Sequence, residues 1–111
     1  MNLHDFVVLH YLLKTNKDDS LAQYLMGRMY EYGLGVTMDD KKAVEWYTKS
    51  AEQGFASGQY NLGLMYENGD GVTKDYKKAV EWYTKAAEQG HAKGQYNLGT
   101  IYEYGNGVTQ D

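Results

Sequence analysis

Three carboxylates, Glu31, Glu67 and Glu103, stand at matching positions 36 residues apart. Carboxylates that face each other across a substrate can divide the work of acid and base. A fixed period instead sets these three in a row, each in the same surroundings as the last. The histidines His4, His10 and His91 lack the i,i+4 or paired-ligand spacing that builds a metal site. They read as surface or packing residues. The segments GLGV at 33–36, GDGV at 69–72 and GNGV at 105–108 resemble a phosphate cradle only superficially. A dinucleotide loop needs a preceding strand and a third glycine at fixed spacing. The chain has no cysteine, so it offers no thiol nucleophile, thiolate metal site or disulfide framework. These residue types point to no catalytic residue, no metal and no cofactor, and the chain reads as a protein without enzymatic activity.

The period that undoes the acid/base reading is the strongest signal in the chain. Residues 19–54 read DSLAQYLMGRMYEYGLGVTMDDKKAVEWYTKSAEQG, and residues 55–90 read FASGQYNLGLMYENGDGVTKDYKKAVEWYTKAAEQG. Residues 91–111, HAKGQYNLGTIYEYGNGVTQD, begin a third copy and stop within it. A repeat of 20 to 50 residues marks a solenoid, in which each unit buries its apolar face by stacking on its neighbours. The whole chain is 111 residues long, with 15 acidic against 11 basic side chains and a net charge of −4. That balance argues against a nucleic-acid partner. The one sustained apolar run, FVVLHYLL at 6–13, is too short to span a bilayer and lacks the flanks of a secretory signal. A soluble, cytosolic protein is expected, with no membrane partner.

Two helices per unit must position whatever the repeat presents. Met26, Met29 and Tyr30, then Leu62, Met65 and Tyr66, then Leu98, Ile101 and Tyr102 recur at i, i+3, i+4, which lines one helix face. This predicts helix A over 20–32, 56–68 and 92–104. Gly27, Gly63 and Gly99 fall among these positions, where a missing side chain lets a second helix approach closely. Helix B is predicted over 40–53 and 76–89, with a stripe of Ala43, Trp46, Tyr47, Ser50 and Ala51 and its equivalents Ala79, Trp82, Tyr83, Ala86 and Ala87. Asp39 and Asp75 can cap its first-turn amides, and Gly54 and Gly90 can close it through the left-handed conformation. Lys42, Glu45 and Lys49, with Lys78, Glu81 and Lys85, form a charged outer face. No strand pattern appears.

The motif Q-Y-x-x-G-x-x-Y-E-x-G-x-G-V-x-x-D-x-K-K-A-V-E-W-Y-x-K-x-A-E-Q-G resembles the Sel-one-like repeat, a relative of the tetratricopeptide repeat, over residues 19–111. The resemblance implies an all-α fold, a right-handed superhelix of antiparallel helix pairs, used as an adaptor surface for other proteins. Two departures stand out. Gly58 and Gly94 replace a frequent alanine and should loosen the first turn of helix A. Thr37, Thr73 and Thr109 replace a common proline. Family members associated with β-lactam binding or hydrolysis carry paired cysteines in each repeat, which this chain lacks.

The expected array therefore has about two and a half repeats, 19–54, 55–90 and the incomplete 91–111, behind an N-terminal capping helix in residues 1–18. Sliding the N-terminal segment by 36 sets Val7, His10, Tyr11 and Thr15 against Ala43, Trp46, Tyr47 and Ala51, as a degenerate helix B. In such a solenoid the A helices line the concave side. Helical phase places there Tyr24, Arg28, Glu31 and Tyr32; Tyr60, Leu64, Glu67 and Asn68; and Tyr96, Thr100, Glu103 and Tyr104. Positions 28, 64 and 100 vary as Arg, Leu and Thr within a constant frame, as a recognition surface would. Tyr60 has a competing place between repeats. The ends invite self-association through Phe6, Leu9 and Leu13 on one side and Leu98, Ile101 and Tyr102 on the other. The expected function is a non-catalytic adaptor or scaffold for a protein partner. Its alternatives are an immunity or inhibitor protein that occupies a toxin or enzyme, and a β-lactam-associated hydrolase or ligand binder.

Overall fold

The computed structural model describes residues 3–105, without the side chains of Asp5, Phe6, Val8, Leu12, Leu13 and Thr15. The third loop valine Val108, Thr109 and the cap-aligned Asp111 lie outside the described residues. Among the described residues six helices follow one another: α1 Leu3–Thr15, α2 Ser20–Tyr32, α3 Asp40–Glu52, α4 Ala56–Asn68, α5 Tyr76–Glu88 and α6 Ala92–Tyr104. The A helices α2, α4 and α6 fall on their predicted residues, and the B helices α3 and α5 end one residue early. Consecutive helices pack against one another, and α2 also touches α4. The result is an all-α solenoid measuring 47 × 25 × 21 Å.

The helix ends follow from their flanking residues. An Asp39 carboxylate oxygen accepts from the Lys42 amide at 3.1 Å, and Asp75 repeats this with Lys78 at 3.1 Å. Each caps one of the four first-turn amides left without an intrahelical partner. Helix A ends at Gly33, Gly69 or Gly105, all at positive φ. The chain then turns back, and the Asp39 amide donates to the Tyr30 carbonyl at 2.8 Å, as Asp75 does to Tyr66 at 2.9 Å. This bond ties the start of helix B to the end of helix A, so the pair folds as one hairpin.

The hairpin interface is built on glycine. A Cβ placed on Gly27 would lie 2.4 Å from the Tyr47 ring, and one on Gly63 would lie 2.6 Å from the Tyr83 ring. Both tyrosines are wholly buried beside Ala43 and Ala79. Val44 is also buried, whereas Trp46 is half-exposed, so the core stripe of helix B is turned slightly from the predicted one. Lys49 covers the exposed side of Trp46, 4.4 Å above its ring, and Lys85 covers Trp82 at 5.5 Å.

Two expectations are corrected by the packing. Gly58 does not loosen α4. It is buried, and an added Cβ would lie 2.4 Å from the Ser50 hydroxyl, whose hydrogen is donated to the Ser20 carbonyl at 2.8 Å. The missing methyl group is what lets three helices meet. The second correction concerns α1. The register with α3 sets Val7 and Tyr11 on the core stripe, yet both are exposed, and Leu9, at the register of the exposed Glu45, is buried against Ala22 and Met29. Leucine at position 9 is more strongly apolar than Val7, His10, Tyr11 or Thr15 of the stripe, and α1 is rolled about its axis relative to a true helix B.

Candidate protein-binding face

The A helices share a face on which constant and variable positions part company. In the first two units the constant ones are locked. The Tyr47 hydroxyl passes beside Gly27, donates to Glu31 at 2.6 Å and accepts from the Asn61 side chain of the next A helix at 3.1 Å. Tyr83 repeats the bond to Glu67 at 2.6 Å and accepts from Asn97 at 3.4 Å. Burial, and then the carboxylate accepting its proton, pushes each phenol far above its ordinary value. These tyrosines stay neutral donors, and Glu31 and Glu67 serve as their acceptors. The row of carboxylates expected to face the groove is thus, for these two, part of the stitching between repeats.

Tyr24 and Tyr60 are packed as well. The Tyr24 ring lies 6.0 Å from Tyr47 and 5.5 Å from Phe55, and the Tyr60 ring lies 5.7 Å from Tyr83 and 4.9 Å from His91. Leu64 packs against the buried cluster of Ala79, Tyr83 and Ile101. Tyr24, Glu31, Tyr60, Leu64 and Glu67 are therefore committed to holding repeats together, because each B-helix tyrosine emerges between neighbouring A helices and gathers them around it. Thr100 is half-buried, its hydroxyl bonded back to the Tyr96 carbonyl at 3.0 Å.

Arg28, Tyr32, Asn68, Tyr96, Glu103 and Tyr104 are exposed. Arg28 sits between two rings, 5.9 Å from Tyr24 and 5.8 Å from Tyr32, and donates to the Tyr24 hydroxyl at 3.4 Å. That bond raises the guanidinium pKa further above its usual value. Beyond it an open cleft of about 290 Å³ runs between the first turns of the A helices, lined by Tyr24, Tyr60, Asn61, His91 and Lys93. Among the described residues no three histidine, aspartate or glutamate side chains gather as metal ligands would, and no helix is long and apolar enough to cross a membrane.

Sequence reasoning missed three contributors, Asn61, Asn97 and His91. Asn61 and Asn97 recur in register and could have been read as partners for a buried phenol. Leu25 takes that position in α2, where α1 brings Leu9 in place of a tyrosine. His91, treated as incidental, caps α6: its Nδ1 accepts from the Gly94 amide at 3.1 Å. Burial, and then nearby Lys93, lower its pKa, which keeps the ring neutral and able to accept.

The ends differ from their expected state. Leu9 and Ile101, expected to drive self-association, are buried within their own chain at 6% and 1% exposure. Ile101 occupies the register of Met65, which faces the preceding helix B, so α5 covers it. Leu98 is half-buried in the same cluster, and Tyr102 is exposed. Phe6 and Leu13 lie outside the described side chains.

A family model described as the Sel1 repeat matches residues 20–55, 56–91 and 92–111. The fold is similar to the crystal structure of a Sel1 repeat protein from Oxalobacter formigenes, with a TM-score of 0.88 and 43% identity over 94% of this chain and 43% of that one. It is also similar to a protective antigen of uropathogenic Escherichia coli displaying an SLR fold, with a TM-score of 0.86 and 43% identity over 93% of this chain and 22% of that one. A putative sel1-like repeat-containing protein of Acanthamoeba polyphaga mimivirus is 44% identical over 41 residues, 37% of this chain and 7% of the relative. The chain thus spans less than half the length of each of these relatives. Sel1 repeat proteins are in general non-catalytic adaptors that mediate protein–protein interaction. With three matched repeats, the glycine-seated tyrosines and the helix-pair stack all in register, this chain belongs to the Sel1 repeat family.

Proposed function

We propose that the chain is a protein-binding adaptor whose recognition surface is the exposed part of the A-helix face, Arg28, Tyr32, Asn68, Tyr96 and Tyr104, with the half-buried Thr100 among them and the adjoining cleft beside it. One observation carries this reading. In the first two units Tyr24 and Tyr60, and Glu31 and Glu67, are constant and packed, whereas Tyr32 and Asn68 differ and are exposed; the third unit keeps the constant types as Tyr96 and Glu103 on an exposed surface, and the varying position 28, 64 and 100 passes from the exposed Arg28 to the packed Leu64. A packing role constrains a residue in every repeat, and an exposed position is released to suit a partner. The chemistry of the exposed set supports the same reading. Tyrosine and arginine are the residue types that most often dominate binding energy at interfaces, giving large contact area with few rotatable bonds and a polar tip. Arg28 is already held between two rings, so little of its side-chain freedom remains to be lost on binding.

Site-specific photo-crosslinking tests the proposal directly. A crosslinker placed at position 28, 96 or 104 is expected to trap the same protein partner, and one at Glu45 or Glu81 on the outer face of the B helices to trap none. A partner captured from positions 45 and 81, and never from 28, 96 or 104, contradicts the reading.

A further inference from the structure

The cleft between the first turns of the A helices is lined at three places where the repeat does not hold one residue type. One repeat earlier, the places of Ser57, His91 and Lys93 are taken by Leu21, Phe55 and Ser57. The ring contact survives the exchange, since Tyr24 meets Phe55 at 5.5 Å and Tyr60 meets His91 at 4.9 Å. An apolar ring is enough for that stacking, and the histidine adds two nitrogens the stacking does not use.

The polar groups of this lining have spent an acceptor on the protein and keep a hydrogen to give. His91 Nδ1 accepts from the Gly94 amide at 3.1 Å, so the proton of the neutral ring is on Nε2. The Tyr24 hydroxyl accepts from Arg28 and the Tyr60 hydroxyl from the Asn97 side chain, both at 3.4 Å, which leaves each O–H as a donor. Ser57 adds a hydroxyl, and Lys93 an ammonium that donates and cannot accept. No carboxylate lines the cleft, although the chain has 15 acidic against 11 basic side chains. Glu67, whose charge reaches Tyr60, already accepts from Tyr83.

We propose, building on the adaptor reading, that this cleft takes the side-chain carboxylate of an aspartate or glutamate on the protein partner. An ionised carboxylate only accepts hydrogen bonds, and the lining offers donors. It carries one negative charge, matched by Lys93, the one full positive charge among the lining residues. A phosphate group brings a charge of about −1.5 to −2 and would be left in excess.

Nuclear magnetic resonance titration of the 111-residue chain tests this, with the capped peptide acetyl-Gly-Gly-Glu-Gly-Gly-amide as probe and its glutamine and phosphoserine counterparts beside it. The glutamate peptide is expected to shift the signals of Ser57, His91 and Lys93 to saturation, and the glutamine peptide to leave them in place. Lys93→Gln, at an exposed position, should weaken the glutamate peptide about two- to fivefold, as loss of one exposed charge pair does. His91→Phe, which keeps a ring against Tyr60 and removes the Nε2 donor, should weaken it as well. Saturation by the glutamine peptide at the same concentration, glutamate binding unchanged in Lys93→Gln, or a phosphoserine peptide more than about tenfold tighter than the glutamate one would each overturn the proposal. If the glutamate peptide moves none of these signals while a crosslinker at 28, 96 or 104 still traps a partner, the carboxylate site falls and the adaptor reading stands. Shifts at the cleft with no partner trapped give the reverse result.

Discussion

Helices α4 and α6 share the run Gly-Gln-Tyr-Asn-Leu-Gly, at 58–63 and 94–99, and do different work with it. In α4 the second glycine is buried beneath Tyr83, the glutamine is buried beneath Gln89, and the tyrosine is stacked between Tyr83 and His91. In α6 the glycine and glutamine are exposed, and Tyr96 stands 75% exposed. What separates the two is the neighbour. A repeat of this kind is specified by its own sequence but stabilised by the helix that follows, so the same residues are core in one unit and surface in the next.

Substitutions that act on one member of each equivalent set should sharpen this contrast. The largest effect belongs to Tyr83→Ala, which empties a wholly buried site; a loss of about 3–5 kcal/mol is expected from the cavity alone. Tyr102→Ala, at an exposed position of helix A, should cost under about half of that. Equilibrium urea unfolding followed by circular dichroism checks both. Next comes Tyr83→Phe, which keeps the ring and removes the bond to Glu67, leaving a half-buried carboxylate without its donor. A loss of about 1–3 kcal/mol is expected. Tyr96→Phe should change stability by no more than about 0.5 kcal/mol.

A smaller effect tests the cap on α6. Phe55 begins α4 without a side-chain cap, and His91 begins α6 with one. His91→Phe should therefore cost about 0.5–1 kcal/mol, a typical cap contribution. The folded-state pKa of His91 is lowered, so its contribution is complete above the unfolded value of about 6.5 and is lost as pH falls through the folded value. Stability of the parent should fall across that acidic window relative to His91→Phe, as thermal unfolding at pH 7.5 and at pH 5 would show. The smallest stability effect belongs to Arg28→Ala, expected within about 0.5 kcal/mol. That variant should nonetheless weaken the partner trapped at positions 96 and 104.

The fold was legible because the repeat states each structural requirement more than once. Gly27 and Gly63 mark the close approach, Asp39 and Asp75 the caps, and Ala43, Tyr47, Ala79 and Tyr83 the buried stripe. The candidate face was legible only in part. Helical phase names the residues that point away from the hairpin partner, but it does not know that Tyr47 and Tyr83 reach through from the other layer. Glu31, Glu67 and Tyr24 were therefore read as open when they are held, and Tyr60, read with two competing places, takes the one between repeats. Helix α1 was misread for a related reason: a 36-residue slide assumes the repeat's rotation, and Leu9 supplies a stronger apolar anchor than the aligned residues. Gly58 illustrates the same limit, since a lone glycine in the first turn looks like a weakness until Ser50 is seen against it.

One measurement bears most directly on the claim that a neighbour, and not local sequence, decides what these residues do. Gly63→Ala and Gly99→Ala make the same change at equivalent positions of near-identical helices, and their unfolding free energies can be compared at concentrations where the chain is monomeric. At Gly63 the new methyl group collides with the Tyr83 ring, and a loss of about 1–3 kcal/mol is expected. At Gly99 the methyl group enters open space in a helix interior, and a gain of about 0.5–1 kcal/mol is expected from the better helix former. Opposite signs support the account. Equal changes at the two sites, or destabilisation at Gly99 as large as at Gly63, would contradict it.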